Sequence, residues 1–517
     1  MAKGDPECPD LHPLLRKRPR AKESQLEGAP SGDMAAIIVC VLCALVVLKP
    51  QEFVPILSGL PLLYLLFALF VVAFAVDVLR GRARVDLPPH APFILAFFLW
   101  GALVTLVRKP SVLPKEGLEL VIVFCIFGVI ALGLGDTKGL KRFCWTLLVC
   151  MIFATTVALV QSRGPYGCMI AAQGDWEGKG ELEYDGRSCE TALDCRRDGL
   201  PDVNYRCERV GPFGTATIGG RVRYRGTLAD PNELSLAAVM ALPFALAFAE
   251  RRRSSRDSRQ APSAASLGLP PLLTDRLLAG VGSWLRMTPA LLVAAAFAVM
   301  IVFSQSRMGV LVFLVVMGLA FIRRAGVFGV VIGCLAFPPL LVLGGRSGAE
   351  AEASADERLD LVAEALMMIR RSKGIGFGLG QFADESTRGL TAHNSYLLAA
   401  AETGVIGACL FSLVLYGALK VPVKLWFGAY DVDADLRRLA PAIAIALVGA
   451  YVGIFFLSWS YKEFLYMMLG ASAALYQAAR AQDARFSVRI DVREAASVCA
   501  LCLLLFPIVW IVLHVIG

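Results

Sequence analysis

Apolar runs of about 15 to 25 residues recur thirteen times along this chain, separated by short connectors rich in basic residues and turn formers. A helix rises about 1.5 Å per residue, so such a run spans roughly the 30 Å of hydrocarbon in a bilayer. Inside lipid a single segment satisfies its own backbone only as a helix, so the runs predict an all-α polytopic membrane bundle of about 12 to 13 transmembrane helices. They lie near Met34–Leu48, Gly59–Leu79, Pro92–Val107, Leu118–Leu134, Phe143–Val160, Leu234–Ala249, Pro289–Phe303, Met308–Ile322, Val327–Leu343, Asn394–Leu419, Leu439–Leu457, Phe464–Ala479 and Ala496–Val515. Pro55, Pro243 and Pro422 are expected to bend or end the segments that hold them.

The connectors set the orientation. Residues 1–33 form a polar tail with a basic cluster at Arg16, Lys17, Arg18, Arg20 and Lys22 and no small-residue cleavage site, which reads as cytoplasmic. With the tail inside, the inner segments carry 29 Lys and Arg against 12 outside, leaving out the 68-residue connector 162–229. The net charge of +8 therefore follows the positive-inside pattern and implies no nucleic-acid partner. The chain divides into the tail 1–33, N-terminal helices 34–161, an outer segment 162–229, central helices 230–343, a second outer segment 344–393 and C-terminal helices 394–517. The central helices enclose a flexible basic inner linker, 250–288.

Four of the fourteen cysteines, Cys168, Cys189, Cys195 and Cys207, lie in the first outer segment, which is too polar to build its own core. Two disulfides would staple it, with three pairings open; zinc is disfavoured because the segment has no CxxC pair and no histidine. The same segment ends in RVRYRGTLADPNELS, which brings Arg221, Arg223 and Arg225 to the membrane surface beside a helix start at Asp230, Pro231 and Asn232. That pattern serves a capped helix with solvated arginines, or a phosphate site built from guanidinium forks and free N–H groups.

Arg307, in SQSRMG, sits between two apolar runs with no room for a solvated loop, so its charge needs an anionic partner, a ligand or a helix carboxylate. The second outer segment ends at His393, Asn394 and Ser395, where a histidine serves as a cap, an anchor or an acid–base group. Gly374, Gly376, Gly378 and Gly380 lack the strand and acidic residue of a dinucleotide fingerprint and read as flexible backbone near a ligand. Upstream, Leu359, Val362, Leu366 and Ile369 mark one face of an amphipathic helix. Glu402 lies about two turns into the helix that His393 opens, where it pairs with an arginine or caps a polar pocket.

Together these motifs resemble the O-antigen ligase superfamily, which includes O-antigen ligases, O-antigen and exopolysaccharide polymerases and membrane O-glycosyltransferases. The resemblance rests on Arg-x-x-x-x-DPN, S-x-SR, R-x(n)-GxGxGxF and HNSYL followed by E-x-G, and covers about Arg225 to Phe411. It implies a metal-independent, inverting glycosyltransferase without cofactor, in a bacterial inner membrane, using a glycan linked to undecaprenyl diphosphate as donor. The implied acceptor is another glycan or a lipid A core, and membrane lipids, a polysaccharide flippase and a chain-length regulator are the implied partners. By motif, Arg225 and Arg307 bind the diphosphate, with Arg223 the alternative to Arg225, and His393 helps deprotonate or orient the acceptor hydroxyl. Asn232, Arg358, Asn394, Tyr396 and Glu402 are the supporting positions. The four-cysteine insert departs from the family pattern. The competing readings are a secondary transporter of a small anion such as bicarbonate, which predicts two related halves that the sequence does not display, and an assembly scaffold, which leaves Arg307 and His393 without a role.

Overall fold

The computed structural model describes residues 33–81, 86–171, 182–196, 205–250, 273–326 and 349–516. In chain order the long helices are α1 (Asp33–Leu48), α2 (Leu62–Leu79), α3 (Ala91–Arg108), α4 (Leu113–Gly133), α5 (Thr137–Gln161), α6 (Pro231–Ala249), α7 (Leu273–Ser304), α8 (Arg307–Ala325), α9 (Ala349–Arg371), α10 (Ser395–Phe427), α11 (Ala434–Gly453), α12 (Glu463–Gln482) and α13 (Val492–Ile516). Among the described residues, nine helices are long and apolar enough to cross a membrane. The chain is a multi-pass membrane helix bundle. The expected run Val327–Leu343, the basic tail cluster and most of the linker lie outside the described residues.

Three of the expected spans meet the bundle in another way. Asp33–Leu48 is short, at 16 residues, while α8 and α12 fall outside the nine apolar helices. From Phe464 to Ala479, α12 is buried on every side, and Gly470, Ala471, Ser472, Ala473 and Ala474 let its neighbours approach closely. A helix shielded by protein needs no lipid-facing apolar surface; small residues bring van der Waals contact instead. Conversely, α2 and the membrane-length part of α13 are almost wholly apolar and barely covered by protein, which is the surface a helix at the lipid boundary presents.

Polar residues punctuate the helix starts as capping chemistry requires. Asp136 accepts from Gly139 N at 2.8 Å, Asp230 from Asn232 N at 2.6 Å, Ser306 from Gly309 N at 3.0 Å and Asp433 from Leu436 N at 2.7 Å. Of the prolines expected to bend or end helices, Pro243 and Pro422 lie inside α6 and α10, which run on past them, and Pro55 opens a single turn, Pro55–Ser58. Packing all round Pro243 holds α6 together despite the missing N–H.

The connectors sort into two ends. At one end Arg323 forms a two-pronged pair with Glu250 at 2.8 and 2.9 Å, Thr137 donates to Asp433 at 2.6 Å and Arg480 pairs with Asp86 at 3.4 Å. At the other, segment 162–229 adds a three-stranded antiparallel sheet in the order β2-β1-β3, from β1 (Tyr166–Ala171), β2 (Leu182–Ser188) and β3 (Tyr205–Arg209). Disulfides join Cys168 to Cys195 and Cys189 to Cys207 and, with Tyr205, form its small core. A segment this small lacks the apolar volume to hold itself together, so covalent links stand in for it.

α9 packs on the start of α10 with three of the four expected residues on its packed side, but the most buried stripe runs beside them. Leu361, Ala365 and Met368 are its fully buried residues, with Val362, Leu366 and Ile369 beside them, while Leu359 is 43% exposed. The i, i+4, i+7 stripe through Ala365 is the closer-packing one, because the small alanine lets the two helices approach.

Candidate functional site

The site is built around the turn between α7 and α8. Gln305 takes a left-handed conformation (φ 51°), which reverses the chain in two residues. Ser306 then caps α8 while its hydroxyl donates to Asn232 Oδ1 at 2.7 Å. Ser304 Oγ lies 2.8 Å from Ser235 Oγ, and a Cβ at Gly309 would stand 2.7 Å from Ser235 Cβ, so α8 runs close against α6. Arg307 is therefore fixed as the first residue of α8, and its side chain is exposed. A cation at a helix N-terminus opposes the helix dipole, and an anion bound there reverses the sign of that interaction.

The three arginines of 221–225 separate in space. Arg221 donates through Nε to Ser304 O at 2.8 Å and through Nη2 to Asn232 Oδ1 at 3.2 Å, which puts it against the turn that carries Arg307. Arg223 is buried, with Nε on Ala216 O at 3.0 Å and its backbone N–H on Gln161 Oε1 at 3.0 Å. Arg225 spans two carbonyls, Glu52 O and Gly214 O, each at 2.8 Å, and ties the first connector to the sheet segment. The structure thus brings Arg221 to Arg307, whereas Arg223 and Arg225 hold the surrounding loops. Residues two apart in an extended segment share a face, so periodicity by itself does not separate the three, and the motif favoured Arg225.

His393 also takes a left-handed conformation (φ 46°) and is half-buried. Asn394 caps α10, accepting from Tyr396 N and Leu397 N at 3.0 Å each. Ser395 pins this start to the connector before α12: its N–H donates to Ile454 O at 2.9 Å and its Oγ to Leu457 O at 2.6 Å, while Trp459 N donates to Oγ at 2.7 Å. The Trp459 indole in turn donates to Glu233 Oε1 at 2.9 Å. Hydrogen bonds thus link Ser395, two residues after His393, through Trp459 to Glu233, and its chain neighbour Asn232 in turn binds Ser306, the residue before Arg307. Glu233, Trp459 and Lys462 were missed in the sequence; their one signal was polarity at the ends of apolar runs. Lys462 is exposed at this rim, and the neighbouring carboxylate of Glu233 first, with Glu463, Glu119 and Asp230, raises its ammonium above the usual range.

A second assembly lies beneath α9. α10 breaks at Gly404 (φ 71°, ψ −171°), and residues 374–378 pair with the break: Phe377 N donates to Ala401 O at 3.1 Å, Gly378 N to Glu402 O at 2.9 Å and Val405 N to Gly374 O at 2.9 Å. The glycine run is thus a strand-like clamp, fixed further by Leu379 N on Thr105 Oγ1 at 2.8 Å. Glu402 is 2% exposed, and its Oε1 accepts from Phe382 N at 3.2 Å. Tyr396 points into the bundle, its hydroxyl donating to Tyr451 O at 3.1 Å. Arg358 is half-buried on α9. On the same helix Glu364 accepts from Ser386 Oγ at 2.5 Å and from Thr387, and Asp360 pairs with Arg388.

No curated protein matches the chain. Residues 291–412, from α7 through Arg307, α9, the glycine clamp and His393 into α10 beyond Glu402, match the family model described as O-antigen ligase (Wzy_C). This multi-pass membrane chain therefore carries an O-antigen ligase domain.

Proposed function

We propose that the protein transfers a glycan from undecaprenyl diphosphate to an acceptor hydroxyl at the outer face of a bacterial inner membrane, as an O-antigen ligase or an O-antigen or exopolysaccharide polymerase. The observation that carries this reading is Arg307, exposed at the N-terminus of α8 and held in a turn that Arg221 and Asn232 clasp. Breaking the anomeric C–O bond leaves negative charge on a diphosphate, and two guanidinium forks with a helix N-terminus stabilise such charge without a metal. Arg221 takes the place beside Arg307 that the motif gave to Arg225 or Arg223. His393 stands on the acceptor side and orients the incoming hydroxyl, with Asn394 capping the helix that follows it. The N-terminus lies in the cytoplasm, as the charge of the connectors requires. A flippase delivers the donor, a lipid A core or a second glycan accepts it, and a chain-length regulator accompanies the polymerase role.

The test is glycan profiling of a deletion strain complemented with wild type, Arg307→Ala or His393→Ala at matched membrane levels. Short single-unit products in the variants identify a polymerase, and full-length glycan left on the carrier lipid identifies a ligase. A normal profile from both variants overturns the assignment.

A further inference from the structure

Resting on the transferase reading, we propose that Glu233 is the residue that takes the acceptor's proton: its carboxylate, aligned by the Trp459 indole, is the general base of the transfer.

The first turn of α6 carries two different functions on adjacent residues. Asn232 faces the α7–α8 turn, where its Oδ1 accepts from both Ser306 and Arg221. Glu233, the next residue, is displaced by about 100° around the helix, and its Oε1 meets Trp459 Nε1 at 2.9 Å. The carboxylate therefore stands beside the diphosphate-facing group but turned toward the segment that pins His393. That is where an acceptor approaching opposite the leaving group would present its hydroxyl.

Three features fit a base better than a structural carboxylate. Trp459 is fully buried and its backbone N–H is fixed on Ser395, so the indole holds Oε1 in one orientation, as a positioning partner does for a catalytic group. Glu233 is only half-buried and reachable from solvent. Lys462, exposed at the same rim, has its ammonium raised first by the charge of Glu233, and its own charge offsets repulsion between that carboxylate and a diphosphate.

The step balances. The acceptor oxygen forms a bond to the anomeric carbon, its proton passes to Glu233, and the C–O bond to the diphosphate breaks with its electron pair leaving on phosphate, stabilised by Arg307 and Arg221. Proton loss to bulk water resets Glu233.

The assay uses full-length protein in lipid nanodiscs, with lipid-linked glycan extracted from a deletion strain as donor and acceptor. Glu233→Gln keeps an acceptor for the Trp459 indole but no base, and should lower kcat at least about 100-fold with KM little changed. In Glu233→Ala, added formate or azide should restore at least about tenfold of the lost rate by occupying the vacated position, a response that a purely structural role would not show. Glu233→Gln within threefold of wild type, while Arg307→Ala is inactive, overturns the proposal and leaves the transferase reading standing. Loss in Glu233→Gln with no rescue of Glu233→Ala by either anion also overturns it. Wild-type activity in Arg307→Ala and His393→Ala removes the transferase reading, and this proposal with it.

Discussion

Replacing Gly376 by alanine should spring the glycine clamp from the break in α10. Gly376 sits at φ 100°, and a Cβ there would lie 2.3 Å from Glu402 O and 2.7 Å from Gly404 N. Both atoms are backbone, so no side chain can swing aside, and the clamp must part from the helix break to admit the methyl. Parting gives up three hydrogen bonds, Phe377 N to Ala401 O, Gly378 N to Glu402 O and Val405 N to Gly374 O. At about 1 kcal/mol each this is about 3 kcal/mol, or roughly a hundredfold in the opening equilibrium. Amide hydrogen exchange read by mass spectrometry on the full protein in nanodiscs should show peptides covering 374–382 and 401–405 exchanging about 100-fold faster. Gly389→Ala is the control: its φ of 68° imposes similar backbone strain, but nothing lies within 4 Å of the added Cβ, so exchange in the clamp should not change. Gly376→Ala exchanging within threefold of wild type at Phe377, Gly378 and Val405 would refute the clamp.

Three further outcomes follow from other contacts. Asn232→Ala withdraws the acceptor shared by Ser306 and Arg221, a loss of about 1–3 kcal/mol at the α7–α8 turn. Transfer should drop at least about tenfold, with partial recovery in Asn232→Asp; unchanged transfer in Asn232→Ala would show that the turn does not position Arg307. Replacing Cys168 and Cys195 by serine opens a link across 27 residues and should cost the sheet segment about 3 kcal/mol, read as faster trypsin cleavage between residues 162 and 229; equal cleavage would mean the strands hold without it. Burial by itself would raise the Glu364 carboxyl, but hydrogen bonds from Ser386 and Thr387 and the charge of Arg388 outweigh it and hold it below the ordinary range. A carboxyl depressed in the folded state stabilises above its unfolded value, near 4.3, and that stabilisation is lost as pH falls through the lower folded value. Segment 386–388 should therefore become protease-sensitive at about pH 3 and stay resistant at pH 7, with Glu364→Ala sensitive at both; resistance of wild type at pH 3 would count against the docking.

Much of the architecture was legible because lipid imposes a simple rule on sequence. Every polar backbone group must be paired inside the bilayer, so apolar runs of spanning length become helices wherever they occur, and of the thirteen expected runs the twelve within described residues each fall largely on a helix. Hydropathy was least informative for α12, whose surroundings are protein instead of lipid, and for α9, whose buried stripe was set by how close α10 can approach. In the candidate site, sequence order marked Arg307 and the His393–Ser395 turn, since polar residues between apolar runs stand out by themselves. The motif pointed to Arg225 or Arg223, not to Arg221, and sequence gave no sign that Glu233 and Trp459, 226 residues apart, share a hydrogen bond. Sequence by itself determined that the chain is a membrane helix bundle with two long polar segments, because burial in lipid acts on each run independently. Only the tertiary structure decided which arginine lies against the α7–α8 turn, how the cysteines pair and what the glycines clamp, because those choices depend on contacts between segments that no local pattern encodes.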